Sequence, residues 1–294
     1  MTAWYGVPPP VRHIDTAGWL RIIRRLLPMA VLTYGGLMLL VVLRLVEAPL
    51  RGPVRPLTPW ITRWVCRGNL WLMGMGYGVR GRPMVARGAQ VANHTGWLDI
   101  FTLNACQTIY FVAKSEVARW PGIGWLARAT GTVFIARDPR QARAQQALFE
   151  DRLRWGHRML FFPEGTSTDG LRVLPFKSTL FAGFYSHGLD HVMQIQPVTV
   201  IYRAPPGRDP RLYGWWGDMA FGPHFLATLS ERRQGRVEVV FHDPVAVDAF
   251  PSRKELAAHC EAVIRAELAA ALGISAVDEA AEGGAVSSSP ARMP

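Results

Sequence analysis

From Leu26 to Leu43 the chain runs for 18 residues without a charge. As a helix, such a run comes close to the thickness of a bilayer's hydrocarbon core. Arginine brackets it, with Arg21, Arg24 and Arg25 before it and Arg44, Arg51 and Arg55 after it. Residues 1–90 hold twelve arginines and two acids, a net +10, so nearly all of the chain's +11 lies in this third. Such a basic segment suits either nucleic acid or an anionic membrane surface. A nucleic-acid arm interleaves its cations with polar and aromatic residues rather than bracketing an apolar run, so nucleic acid is not expected as a partner. A signal peptide is a rival reading, with Val46-Glu47-Ala48 as its cleavage site. The long leading segment and Arg44 directly after the run argue against it. Equal basic flanks give a membrane span no preferred direction and suit a segment that returns to the face it entered. The second apolar stretch, Leu70–Met75, offers a return arm, and Trp60, Trp64 and Trp71 suit the headgroup level. The expectation is a re-entrant or interfacial helical anchor.

The remainder has another character. The chain is 49% hydrophobic and 19% charged, with mean hydropathy +0.09. That is too apolar for disorder. Beyond the first run the apolar residues are dispersed, which excludes a polytopic membrane protein. Three cysteines make neither a disulfide framework nor a zinc cluster.

From about residue 85, short β-rich runs alternate with helical ones. Strands are expected at 90–93, 108–113, 132–136, 159–162, 194–200 and 236–241. Helices are expected at 116–128, at 139–155 with Asp138 as its cap, in a stretch after Lys177, and at 252–272, ended by Gly273. This alternation predicts an α/β fold: a mainly parallel central sheet flanked by helices, with the N-terminal helical membrane anchor attached. The expected organisation is an anchoring segment at 1–80, a catalytic domain at 81–273 and a flexible tail at 274–294.

Ligands of such sheets bind beyond the carboxyl ends of the strands, and three runs fall there. In Asn93-His94-Thr95-Gly96-Trp97-Leu98-Asp99, a turn at Thr95-Gly96 would let His94 meet Asp99. A carboxylate on one ring nitrogen leaves the other free to take a proton. The plainer reading has Asp99 capping a helix and His94 satisfied locally. Phe161-Phe162-Pro163-Glu164-Gly165-Thr166-Ser167-Thr168 ends a strand in a loop rich in backbone N–H groups and hydroxyls, or is an ordinary turn. Gly131–Asp138 puts Arg137 at a strand end, where its planar fork suits phosphate or carboxylate, or a surface ion pair. His187 and His191 stand four apart with Gly188 between them and no third ligand, so no metal site is expected. Tyr213–Met219 reads equally as a lipid-facing lip or as packed core.

In order, His94…Asp99, Gly131…Arg137, Phe162-Pro163-Glu164-Gly165-Thr166 and Gln196-Pro197-Val198 resemble the four motifs of the glycerolipid acyltransferases, the 1-acylglycerol-3-phosphate acyltransferase family. Leu174-Pro175-Phe176-Lys177 follows the third motif as in family members, and the match covers about residues 70–245.

The resemblance implies transfer of a fatty acyl group from acyl-CoA or acyl-carrier protein, as co-substrate, to a lysolipid hydroxyl, with no cofactor. It implies His94 and Asp99 as the catalytic pair. Arg137, Glu164, Gly165, Thr166, Ser167 and Lys177 then lie at the acceptor. The partners are membrane lipids and the acyl donor, at the cytoplasmic face of the inner or plasma membrane. In the family the third motif commonly continues with Arg, thought to meet the acceptor's phosphate; here that position is Ser167. A hydroxyl does not replace a charge-assisted fork to a phosphate dianion. Arg172, Lys177 or Arg137 would have to compensate. Lysophosphatidate remains the leading acceptor, giving phosphatidic acid, with lyso-ornithine lipid as the alternative. Readings of another class are a lipid hydrolase and a non-catalytic lipid-binding protein.

Overall fold

The computed structural model describes residues 4–10, 13–120, 122–135, 142–185, 191 and 193–273. The proposed tail at 274–294, Arg137, His187 and the cap Asp138 lie outside the described residues.

The apolar run sits inside one long helix, α1 (Thr16–Arg51), capped by Asp15, whose Oδ1 accepts the Gly18 N–H. A short loop leads to α2 (Thr58–Met73). Contacts Glu47–Thr58, Gly36–Val65 and Thr33–Asn69 run in opposite directions along the two helices, so they form an antiparallel hairpin. Gly36 makes the close approach possible, since a Cβ there would lie 2.4 Å from a Val65 methyl. At 1.5 Å per residue α2 is about 24 Å long, short of a bilayer core. α1 is the one helix among the described residues long and apolar enough to cross a membrane. Leu27, Val31, Met38, Val42 and Leu45 of α1 and Trp60, Trp64 and Trp71 of α2 stay exposed. The base of the hairpin is fixed to the body. Arg25 Nη1 donates to the Leu229 and Glu231 carbonyls at 2.7 and 2.6 Å, and Arg21 Nε donates to the Ser230 carbonyl at 2.6 Å. These carbonyls end α6 (Phe221–Ser230), where a helix carries partial negative charge.

Behind the hairpin lie β1 (Gly76–Arg80), β2 (Gly88–Ala92), α3 (Leu98–Cys106), β3 (Tyr110–Lys114), α4 (Ile123–Ala129), β4 (Val133–Ile135) and α5 (Ala142–Arg154). There follow β5 (Met159–Phe161), β6 (Gln194–Arg203), α6, β7 (Arg236–Phe241), β8 (Val245–Ala246) and α7 (Arg253–Leu272). The strand order is β1-β7-β6-β2-β5-β3-β4, with β8 on β6. All neighbours are parallel except β6–β7 and β6–β8. Strand alternation divides the core. Met159 and Phe161 face α5 and α7, while Leu160 between them faces the hairpin, α3 and α6.

The expected helix at 116–128 divides into a 3₁₀ turn, Ser115–Arg119, and α4. Pro121-Gly122 in the sequence accounts for the break, since proline brings no amide hydrogen and Gly122 takes φ +71°. The stretch after Lys177 is 3₁₀, Ser178–Tyr185, and α5 is described from Ala142. β1, α3, α6 and β8 are elements that pattern reading did not anticipate.

Candidate active site

The site forms at the carboxyl ends of β2 and β5, and a turn rather than a helix brings its two leading residues together. After β2 the chain turns through Thr95-Gly96, and α3 begins so that Asp99 points back at His94. His94 Nδ1 lies 2.7 Å from Asp99 Oδ2. The same Oδ2 accepts the backbone N–H of Thr95 at 2.8 Å and of Gly96 at 3.0 Å. Oδ1 accepts the Tyr202 hydroxyl at 2.9 Å. Burial and the Asp99 charge hold the Tyr202 phenol well above its ordinary range, so it stays a donor. Asp99 is fully buried, and Thr95 N–H, Gly96 N–H and the Tyr202 hydroxyl are three fixed donors to it, which makes the acceptor role its own in the contact with the His94 ring. His94 therefore keeps its proton on Nδ1, and Nε2 is the basic nitrogen. Its ring stacks on Phe162, with centroids 3.9 Å apart and planes 13° apart. Two contacts thus fix the ring, an acid at one edge and an aromatic face beneath.

Glu164 lies inside the loop after β5, turned inward and 1% exposed. Its Oε1 accepts the His94 N–H at 2.7 Å and its Oε2 the Leu174 N–H at 2.8 Å. Burial pushes its carboxyl up to about 8 despite those two bonds. Gly165 adopts φ +69°, and the Lys177 side chain covers it so closely that a Cβ would fall 2.5 Å from Nζ. Lys177 is held by its own N–H, which donates to the Pro163 carbonyl at 2.9 Å. Thr166 is half-buried beside them. Ser167 is mostly buried, and its hydroxyl donates to the Trp215 carbonyl. Arg172 grips Asp169 through Nε and Nη2 and lies over the Trp4 ring.

The loops lock into one another. Thr168 N–H donates to the His94 carbonyl and Trp215 N–H to the Thr95 carbonyl, each at 2.9 Å. Trp215 thus belongs to the frame of the site, while Tyr213 and Trp216 of the same segment are packed core. Gln196 braces the sheet behind the site. Its Oε1 accepts from Met84 N–H and Gln90 Nε2, and its Nε2 donates to the Arg82 and His242 carbonyls. Phe162, Tyr202 and Trp215 are the neighbours that sequence reasoning did not bring to His94 and Asp99. Phe162 and Trp215 lie in runs that the sequence singled out for other reasons, and Tyr202 is a tyrosine in an apolar strand, which needs a hydroxyl partner.

An acid-held imidazole with a free Nε2 can remove a proton from a hydroxyl. The acyltransferase family profile matches residues 81–201. A lyso-ornithine lipid O-acyltransferase of Rhodobacter capsulatus is 65% identical over 263 residues, 89% of this chain and 95% of that one. A 1-acyl-sn-glycerol-3-phosphate acyltransferase of Neisseria meningitidis is 40% identical over 119 residues, 39% of this chain and 46% of that one. The crystal structure of the 1-acyl-sn-glycerophosphate acyltransferase of Thermotoga maritima superposes with a TM-score of 0.58 at 20% identity, covering 85% of this chain and 94% of that one.

Proposed function

Because the chain belongs to the glycerolipid acyltransferase family and is a lysolipid O-acyltransferase, we propose that its acceptor is a lyso-ornithine lipid. The observation that carries this choice is Ser167. Its hydroxyl is engaged by the Trp215 carbonyl, so the position offers no cation to a phosphate dianion. Arg172, a candidate substitute, is already paired with Asp169. A zwitterionic ornithine head needs no such cation, and the Rhodobacter capsulatus relative carries that activity in its name. Lysophosphatidate stays as a second reading, supported by Lys177 beside Gly165 and by the Neisseria relative.

His94 Nε2 takes the proton from the acceptor hydroxyl as its oxygen attacks the thioester carbonyl. Asp99 holds the ring and stabilises the imidazolium that forms. The tetrahedral intermediate then expels the thiolate of acyl-CoA or acyl-carrier protein. A thiol has a pKa of about 8.5, so its thiolate departs without a strong acid. The imidazolium returns the proton to the thiolate. By the family resemblance, Gly165 and Thr166 help hold the acceptor, and Arg137 is the residue assigned to an anionic group on it. Glu164 acts as a positioning residue that ties the His94 backbone to Leu174. The hairpin holds the enzyme at the membrane face open to the donor, which is the cytoplasmic one.

An acceptor panel tests this reading. Purified protein receives a radiolabelled acyl thioester with lyso-ornithine lipid, lysophosphatidate or lysophosphatidylcholine. Lyso-ornithine lipid should give the highest kcat/KM. A clear preference for lysophosphatidate would overturn the acceptor, and free fatty acid released at the same rate without any acceptor would mark a hydrolase.

A further inference from the structure

A second polar cluster lies at the opposite edge of the sheet, before the amino ends of β3 and β5. It surrounds a cavity of about 130 Å³ between the loop joining α1 to α2 and the body. Arg55, Thr108, Tyr110, His157 and Arg158 line its inner wall. Val54, Trp60 and Trp155 form an exposed apolar rim. The whole of β5 separates it from Glu164 and the catalytic loop.

The cluster is strongly cationic. Arg55 donates Nη1 to the Ala129 carbonyl at 2.9 Å and lies against Gly131, which Tyr110 also approaches. Arg152 stands over the Tyr110 ring, with Nη1 3.2 Å from His157 Nδ1. Burial, then the charges of Arg152, Arg55 and Arg44, hold His157 down at about 4. The imidazole is therefore neutral, and Nδ1 accepts from Arg152. Its proton sits on Nε2, which is buried beside the Pro53 backbone, and that contact draws the imidazole part of the way back up. Arg152 Nε is buried and meets no acceptor among the described residues. Among the described residues, the carboxylate that offsets Arg55 is Glu47. Glu47 already accepts from Arg44, from the Leu57 and Thr58 N–H groups and from the Thr58 hydroxyl. Converging cations, a buried guanidinium donor without an acceptor and a cavity together describe an anion site.

We propose that this cleft binds the phosphate of an anionic phospholipid headgroup, a lipid that is held but not acylated. Arg55 and Arg158 of the inner wall contact the phosphate oxygens, and Arg152 supplies field from behind. The exposed rim argues for a lipid rather than a free anion, because Trp60 and Trp155 place apolar and amphipathic surface where a glycerol and its first methylenes would leave the cleft.

The test compares Arg55→Gln with Arg51→Gln, which removes the same charge from the exposed end of α1. Full-length protein is sedimented with phosphatidylcholine vesicles containing about a fifth of phosphatidylglycerol. At high salt, exposed charges are screened and buried ones much less so. Wild type and Arg51→Gln should stay bound under those conditions, while Arg55→Gln should bind about tenfold more weakly. Equal weakening of the two variants would overturn the proposal. A second measurement needs no variant. The melting temperature of delipidated wild type is followed with short-chain phosphatidylglycerol, short-chain phosphatidylcholine and inorganic phosphate. Stabilisation by phosphatidylglycerol above both others supports the proposal. Equal stabilisation by inorganic phosphate overturns the lipid as occupant, and no stabilisation by any of the three overturns the site.

Discussion

The two edges of the central sheet make opposite use of buried polar groups. At the carboxyl edge, Asp99 and Glu164 are acids whose oxygens all accept hydrogen bonds, most of them from backbone N–H groups. At the amino edge, Arg55, Arg152 and His157 are donors, and the buried Arg152 Nε meets no acceptor among the described residues. The first arrangement is finished before any substrate arrives, and that suits a base which must hold one orientation through every turnover. The second is unfinished, and that suits a site whose partner comes from outside. A carboxylate can be completed by the chain's own amides. A guanidinium has several donors in one plane, and a folded backbone seldom brings enough carbonyls together to meet them.

The largest test of this contrast removes the base. His94→Ala should lower kcat for acyl transfer by about a thousandfold, with membrane sedimentation unchanged. Near-normal turnover would show that the carboxyl edge is not the reacting one. Asp99→Asn comes next. Its amide cannot accept from all four donors, the imidazole loses its fixed tautomer, and kcat should fall about a hundredfold or more, with little change in the circular dichroism spectrum. Tyr202→Phe removes only the donor to Asp99 Oδ1. A single hydrogen bond to a charged group corresponds to roughly ten- to a hundredfold in kcat, and an unchanged kcat would show that the Asp99 frame tolerates a gap.

The smallest test concerns stability against pH. The Glu164 carboxyl is raised to about 8 from an ordinary value of about 4.3. Between those limits the folded chain binds this proton and the unfolded chain releases it. Stability from this group is complete below the lower limit and declines as pH rises through the upper one. Denaturant midpoints from pH 5 to 9 should show that decline, and Glu164→Gln should flatten it. The same slope in the variant would assign the decline to other groups.

Much of the catalytic edge was legible in the sequence, because its signals are local. His94 and Asp99 are five residues apart with a turn-forming Thr95-Gly96 between them. Glu164 follows a strand-ending proline, and Ser252 and Gly273 bound α7 within one residue of their expected places. Strands β5 and β7 could be read because their buried positions form short β-rich runs. β1, with two glycines in five residues, and the two-residue β8 carry no such pattern and exist because β7 and β6 present edges to them. α3 was hidden because it is short and its polar residues Asp99, Thr102 and Asn104 are buried while Ile100 is exposed, so no amphipathic period marks it.

By itself the sequence determined an apolar arginine-flanked segment, an alternating α/β body, and an acid-held histidine with a serine where a cation was expected. Those features rest on spacing and residue type, which act over a few positions. Only the tertiary structure decided what each charge meets. Arg21 and Arg25, which composition assigns to the membrane, close the end of a helix about two hundred residues away in sequence. Arg55 and His157, 102 positions apart in sequence, come to share one cleft. A charge is visible in sequence, but its partner is chosen by long-range packing, and the partner decides whether that charge holds the fold together or binds something else.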